Sequence, residues 1–169
     1  KLLEGSQVKL IATATIGFDH IDMEYCRTAA ITVSTAAGSN ARGVLQWIGG
    51  ALAYASQQQG WQPAQKTLGV VGIGHVGSLV ARYAGLWGFN VLCCDPPRAR
   101  YGEVTHDGRP FVGLDELSAQ SDIITFHVPL SRAGEDATLH MADSDFFGTL
   151  RGNAVVINSS RGEVIDTAA

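Results

Sequence analysis

The sequence predicts an α/β protein built on a doubly wound parallel sheet, and three observations predict it. Short apolar, β-branched runs recur along the chain, the pattern of strands buried on both faces. Helical periodicities stand between them, so successive strands are joined by crossovers and run parallel. One crossover opens on Gly72, Gly74 and Gly77 at the spacing G-x-G-x-x-G.

In chain order, Val8 to Thr15 reads as a strand that loses apolar character toward its end, followed by a turn and a short helix through Tyr25 and Cys26. Ile31 to Ser34 is the next strand. Ala36 to Asn40 makes a loop, with Ser39 or Asn40 as N-cap. A long apolar helix is expected from about Ala41 to Ser56, ending at the polar break Gln57-Gln58-Gln59-Gly60. Leu68 to Val71 is a buried strand, and Leu79, Val80, Tyr83, Ala84 and Trp87 then recur at helical spacing up to a stop at Gly88. Asn90 to Cys94 is the following strand and ends on Asp95. Pro96-Pro97 predicts an extended turn, and Gly102 to Pro110 a polar, mobile loop. A short helix starts at Leu114, and Asp122 to Val128 is a strand stopped by Pro129. Ser144 to Leu150 reads as a short amphipathic helix, and Ala154 to Asn158 as a strand running into Ser159-Ser160-Arg161-Gly162. Ile165 to Ala169 reads as a turn with the first residues of a helix.

Strand, glycine turn, helix, strand and terminal acid form one βαβ unit that binds a dinucleotide. Gly72 permits the tight turn, Gly74 lets the backbone approach a pyrophosphate, and Gly77 lets helix and strand pack closely. His75 and Val76 then stand in the first helical turn, whose N–H groups and positive dipole end face phosphate. Asp95 falls where a carboxylate can accept hydrogen bonds from the adenosine ribose hydroxyls. A 2′-phosphate would sit against that charge, so Asp95 argues for NAD over NADP, although Arg98 and Arg100 could soften the repulsion.

With 169 residues, 46% hydrophobic and 17% charged, the chain can bury a sizeable core. Its net charge of −4 and pI near 5.6 give no basic field for nucleic acid or an anionic membrane. No apolar run approaches the ~20 residues of a membrane span. Cys26, Cys93 and Cys94 suit neither a disulfide framework nor a metal site, and read as core thiols of a reducing cytoplasm. The first strands before Asn40 read as part of another sheet, and only about one strand of the second half of a doubly wound fold is expected. Both ends therefore read as cut, and the chain as a piece of a longer protein.

Three more strand ends carry polar residues: Thr13-Ala14-Thr15-Ile16-Gly17-Phe18-Asp19-His20-Ile21-Asp22, Thr125-Phe126-His127-Val128-Pro129-Leu130, and Asn158-Ser159-Ser160-Arg161-Gly162. With the glycine turn and Cys94-Asp95-Pro96-Pro97-Arg98, they resemble the D-2-hydroxyacid dehydrogenase family along nearly the whole chain. The resemblance implies a Rossmann-type NAD-binding domain over residues 43–169, incomplete at its C-terminal end. Residues 1–42 would be the C-terminal part of a flavodoxin-like substrate domain. It implies oxidation of a small 2-hydroxy acid by NAD⁺, with T-A-T-x-G-x-D-H-I-D and C-D-P-P-R pointing to a phosphorylated one. A cytoplasmic homodimer is the implied full-length form.

By the same resemblance Arg161 would hold the substrate carboxylate and polarise the carbon being oxidised, and Thr15 would contact substrate. Gly72, Gly74, His75, Val76, Gly77, Asp95, Val128, Ser159, Ser160 and Arg161 would line the cofactor. The family's general base is a histidine raised by a glutamate partner, and both would lie beyond residue 169. None of His20, His75, His106, His127 and His140 takes that place. His127 is expected to be structural, bonded to a neighbouring carbonyl. Val128 departs from the hydroxyl found in closer relatives, and Ala37 stands where the family often has proline. The competing readings are a dehydrogenase of phosphoglycerate or glyoxylate, and a non-enzymatic NAD-sensing module like the corepressors of this fold.

Overall fold

The computed structural model describes residues 2–169. Two compact units divide between Asn40 and Ala41. In residues 2–40, strands β1 (Leu10–Ala12) and β2 (Thr32–Ser34) flank helix α1 (Met23–Thr28). They pair in parallel, with Leu10 opposite Thr32. β1 is shorter than its apolar run because hydroxyls compete with the ladder just past it. The Thr13 and Thr15 oxygens lie 2.6 Å apart, and Thr15 Oγ1 donates to the Gly17 carbonyl at 2.9 Å. α1 starts on Asp22, whose Oδ1 accepts the Tyr25 N–H at 2.8 Å, and buries Cys26.

The second unit opens with α2 (Ala41–Gln59). This helix runs on through the three glutamines expected to end it, since glutamine is a good helix former. It stops at Gly60, left-handed at φ +67°, whose N–H closes on the Ser56 carbonyl. There follow β3 (Thr67–Val71), α3 (His75–Leu86), β4 (Asn90–Cys94), α4 (Pro96–Arg100), α5 (Leu114–Gln120), β5 (Ile123–Phe126), α6 (Ser144–Thr149) and β6 (Val155–Asn158).

Three further stretches differ from what the sequence predicts. Pro96-Pro97 starts the short helix α4 instead of an extended turn, because prolines in a first turn have no N–H to lose and Asp95 caps it by accepting the Arg98 N–H. The 102–110 loop is tied down: buried Thr105 accepts the Arg109 N–H at 2.9 Å, and the Arg109 guanidinium meets Asp107 at 2.6 Å. The Arg109 guanidinium and the Thr105 hydroxyl both donate to the Asp107 carboxyl and lower its pKa to about 2. At the C-terminal end a 3₁₀ turn over Gly162–Val164 leads to a parallel bridge between Ile165 and Ala142, where a helix start was expected.

The four strands of this unit are all parallel, in the order β4-β3-β5-β6. Two strands, not one, therefore stand beyond β3 on the side away from β4. Alternation sorts their side chains onto two faces. Leu68, Val70, Cys93, Ile123 and Ile157 pack with Leu45, Ile48 and Leu52 of α2 and Val80, Ala81 and Ala84 of α3. Val71, Cys94, Ile124 and Phe126 pack with Leu117 of α5 and Phe146 of α6. Gly69 is needed on this second face, because a Cβ there would lie 2.5 Å from Leu117 Cδ2. Burial pushes the Cys93 thiol up to about 11 and the Cys94 thiol to about 12, so both are inert packing groups.

Candidate functional site

The chain leaves β3 toward β4 on one side and leaves β5 toward β6 on the other. The carboxyl ends of β3 and β5 therefore flank the topological switch point, where such sheets take their ligands. Gly72 and the segment His127-Val128-Pro129 face each other there. Gly72 is left-handed at φ +86°, and a Cβ on it would stand 2.7 Å from Val128 Cγ1 and 2.9 Å from the His127 carbonyl. A Cβ on Gly77 would stand 1.8 Å from the Gly72 oxygen, so the first turn of α3 touches the turn that precedes it. Gly74, the N-cap of α3, has nothing within 4 Å of where its Cβ would be.

One glycine makes the bend, one the close packing, and one leaves an open face over the first N–H groups of α3. That is the cradle a pyrophosphate requires, so the residues present fit a dinucleotide. His75 is exposed in that first turn. Val76 turns its side chain into the core beside α3, which leaves only its backbone for phosphate.

Ile73 is the buried residue between the first two glycines, and both of its backbone groups are held by the segment after β4. Its N–H donates to Asp95 Oδ2 at 2.8 Å. Its carbonyl accepts from Arg98 Nη1 at 2.6 Å and from Ser78 Oγ at 3.0 Å. Asp95 is thus at once the cap of α4 and a brace for the glycine turn. Arg98 is also bonded to Glu103, Nε to Oε2 at 2.7 Å, and lies over the Phe111 ring at 5.5 Å. Arg100 pairs with Asp136 of the segment following β5, with Glu135 at 3.5 Å.

At the end of β5, His127 reaches two hydroxyls, not the carbonyl expected: Nδ1 is 2.8 Å from Ser159 Oγ and Nε2 is 3.1 Å from Thr125 Oγ1. Burial drops its pKa from 6.5 to about 4, so the ring is neutral. It ties the end of β5 to the segment after β6. That segment is shaped by Asn158, which sequence reasoning did not single out. Its Nδ2 donates to the Arg161 carbonyl at 2.8 Å, and its Oδ1 accepts both the Ser160 N–H at 2.9 Å and the Ser160 hydroxyl at 2.7 Å. Arg161 is partly buried at the carboxyl end of β6. Thr15 belongs to the first unit, where its hydroxyl bonds its own loop.

Residues 35–169 match the family described as D-isomer specific 2-hydroxyacid dehydrogenase, NAD binding domain. The chain belongs to this family. Its cofactor is accordingly NAD, and this chain is 48% identical across its whole length to erythronate-4-phosphate dehydrogenase of Bacteroides thetaiotaomicron. It spans 47% of that relative, so about half the length of the curated relatives it matches. Among solved structures, D-lactate dehydrogenase of Aquifex aeolicus with NAD and lactic acid superposes over 99% of this chain and 54% of its own, with a TM-score of 0.76 and 30% identity. NAD⁺-bound 3-phosphoglycerate dehydrogenase of Entamoeba histolytica covers 96% of this chain and 52% of its own, with a TM-score of 0.80 and 26% identity.

Proposed function

We propose that this protein oxidises 4-phospho-D-erythronate at its 2-hydroxyl carbon, giving (R)-3-hydroxy-2-oxo-4-phosphooxybutanoate on the way to pyridoxal 5′-phosphate. The observation that carries this reading is 48% identity to an erythronate-4-phosphate dehydrogenase, against 30% and 26% to the lactate and phosphoglycerate enzymes. Bound NAD⁺ supplies the hydride acceptor. Gly72, Gly74 and Gly77 with the backbone of His75 and Val76 take the pyrophosphate, and Asp95 takes the adenosine ribose. Val128, Ser159 and Ser160 line the nicotinamide half.

Arg161 is the proposed catalytic residue, because its planar fork binds a carboxylate at two points and stays charged beside the reacting carbon. Thr15 is the proposed substrate contact of the first unit. In this reading residues 1–42 are the tail of a substrate domain and 43–169 the cofactor domain of a cytoplasmic homodimer. His127 is not assigned the hydroxyl proton, since both of its ring nitrogens are already engaged by the Ser159 and Thr125 hydroxyls. The base is assigned instead to a histidine with a glutamate partner outside these 169 residues.

The test follows NADH absorbance for the full-length protein with NAD⁺ and 4-phospho-D-erythronate or 3-phosphoglycerate, and NADH consumption with glyoxylate. The highest kcat/KM is expected on the erythronate ester. A higher value on either other acid overturns the substrate assignment. Tight NAD⁺ binding with no turnover of any of the three would instead favour an NAD-sensing module.

A further inference from the structure

We infer that Arg98 is a positioning residue for the pyrophosphate turn and takes no part in recognising the adenosine ribose. The inference rests on the NAD-binding reading of the glycine turn. A cation three residues after the ribose acid invites a different reading, as a counter-charge that would tolerate a 2′-phosphate. The contacts of Arg98 point elsewhere. Its Nη1 donates to the Ile73 carbonyl at 2.6 Å, its Nε and Nη2 both lie 2.7 Å from Glu103 Oε2, and Phe111 covers it at 5.5 Å. Each face and edge of the guanidinium that these contacts use is spent on protein.

The same helical turn delivers both halves of the grip. α4 begins at Pro96, so Asp95 and Arg98 are one turn apart, and Asp95 reaches the Ile73 N–H while Arg98 reaches the Ile73 carbonyl. Ile73 is the second residue of G-x-G, and its peptide groups lead directly into Gly72 and Gly74. Glycines on either side leave that peptide with few steric limits of its own. An external two-point hold is therefore what fixes the orientation of the N–H groups offered to phosphate. Such preorganisation raises affinity by removing an ordering cost at the moment of binding. In this reading C-D-P-P-R works as a brace, with Glu103 and Phe111 aiming its arginine.

The full-length protein is titrated with NAD⁺, NADP⁺, ADP-ribose and adenosine by calorimetry, as wild type and as Arg98→Ala, Arg98→Lys and Glu103→Gln. Arg98→Ala should weaken NAD⁺ and ADP-ribose by about tenfold, leave the ratio of NAD⁺ to NADP⁺ affinity unchanged, and leave adenosine, which has no phosphate, within twofold. Arg98→Lys should recover part of the loss, since an ammonium can reach one of the two oxygens but lacks the fork. Glu103→Gln should show a smaller loss with the same ligand pattern. A loss confined to NADP⁺ would overturn the brace and make Arg98 a counter-charge. An equal loss for adenosine would overturn it as a general collapse of the fold, as would unchanged NAD⁺ affinity in Arg98→Ala. Failure of the wild type to bind NAD⁺ would overturn the cofactor reading itself, and the brace with it.

Discussion

His127 is kept neutral by burial and not by its partners, because the hydroxyls of Ser159 and Thr125 accept hydrogen bonds as readily as they donate them. Stability must then depend on pH in one direction. The unfolded ring protonates near 6.5 and the folded ring only near 4, so below 6.5 the unfolded state binds the extra proton. His127 thus contributes stability that is complete above about 6.5 and drains away as the pH falls toward 4. The full difference, on the scale of 1.36 kcal/mol per pKa unit, is roughly 3 kcal/mol. Urea unfolding of wild type and His127→Gln at neutral pH and at pH 5 measures it. The variant should be the less stable at neutral pH, and the gap should narrow in acid; a gap independent of pH would remove His127 from the account. At this scale the sequence was partly legible. The strand end marked His127 as structural, but which groups it would meet depended on a residue 32 positions on, and no local pattern carries that.

The glycine turn and α3 form the element on which the site depends, and their glycines make separable demands. Gly77 and Gly74 are both helix-start glycines, yet a Cβ would meet the Gly72 oxygen at 1.8 Å in one case and nothing within 4 Å in the other. Gly77→Ala should therefore destabilise the fold by about 1–3 kcal/mol or more. Gly74→Ala should leave the melting temperature nearly unchanged while weakening NAD⁺ markedly, because the added methyl occupies the face where the pyrophosphate comes closest. Thermal melts with and without NAD⁺ separate the two effects. Equal losses of stability would mean that Gly74 is also a packing residue. The spacing announced this element in full, because strand, glycines and helix signal locally. α4 was misread for the same reason in reverse: Pro-Pro speaks for an extended chain until Asp95 is known to cap the turn behind it. Asn158 escaped notice because asparagine in a strand-to-loop junction is ordinary, and its three bonds to Ser160 and Arg161 exist only once the segment has curled.

For the molecule as a whole, binding and turnover come apart. Residues 41–169 contain the sheet, both packed faces and the cradle, whereas removal of the substrate hydroxyl proton needs a base, typically worth ~10²–10⁴-fold. His127 is spoken for, and the guanidinium of Arg161 offers hydrogen-bond donors and no acceptor for the proton. We predict that NAD⁺ stabilises the 169-residue chain alone by ~2.7 kcal/mol at a hundredfold excess over Kd, seen as a raised melting temperature, yet that this chain oxidises no 2-hydroxy acid. NADH formation by this chain at a rate comparable to the full-length protein would refute that. The doubly wound class was readable because alternating strands and helices leave few other ways to bury both faces. The number of strands beyond β3 was not, since strand order is a property of long-range pairing.

That pairing has a consequence during synthesis. No hairpin can start this sheet, because every pair in it is parallel and needs a crossover. Asn90 returns to Thr67 across 23 residues, but Asp122 returns to the same residue across 55. A nascent chain that has emerged as far as Arg98 already carries the glycine turn and the two residues that brace it, while Leu117, Ile124 and Phe126, which pack with Val71 and Cys94, have yet to leave the ribosome. Until they do, one greasy side of a half-made sheet lies bare, and it is in that interval that this protein is most exposed to sticking to its neighbours.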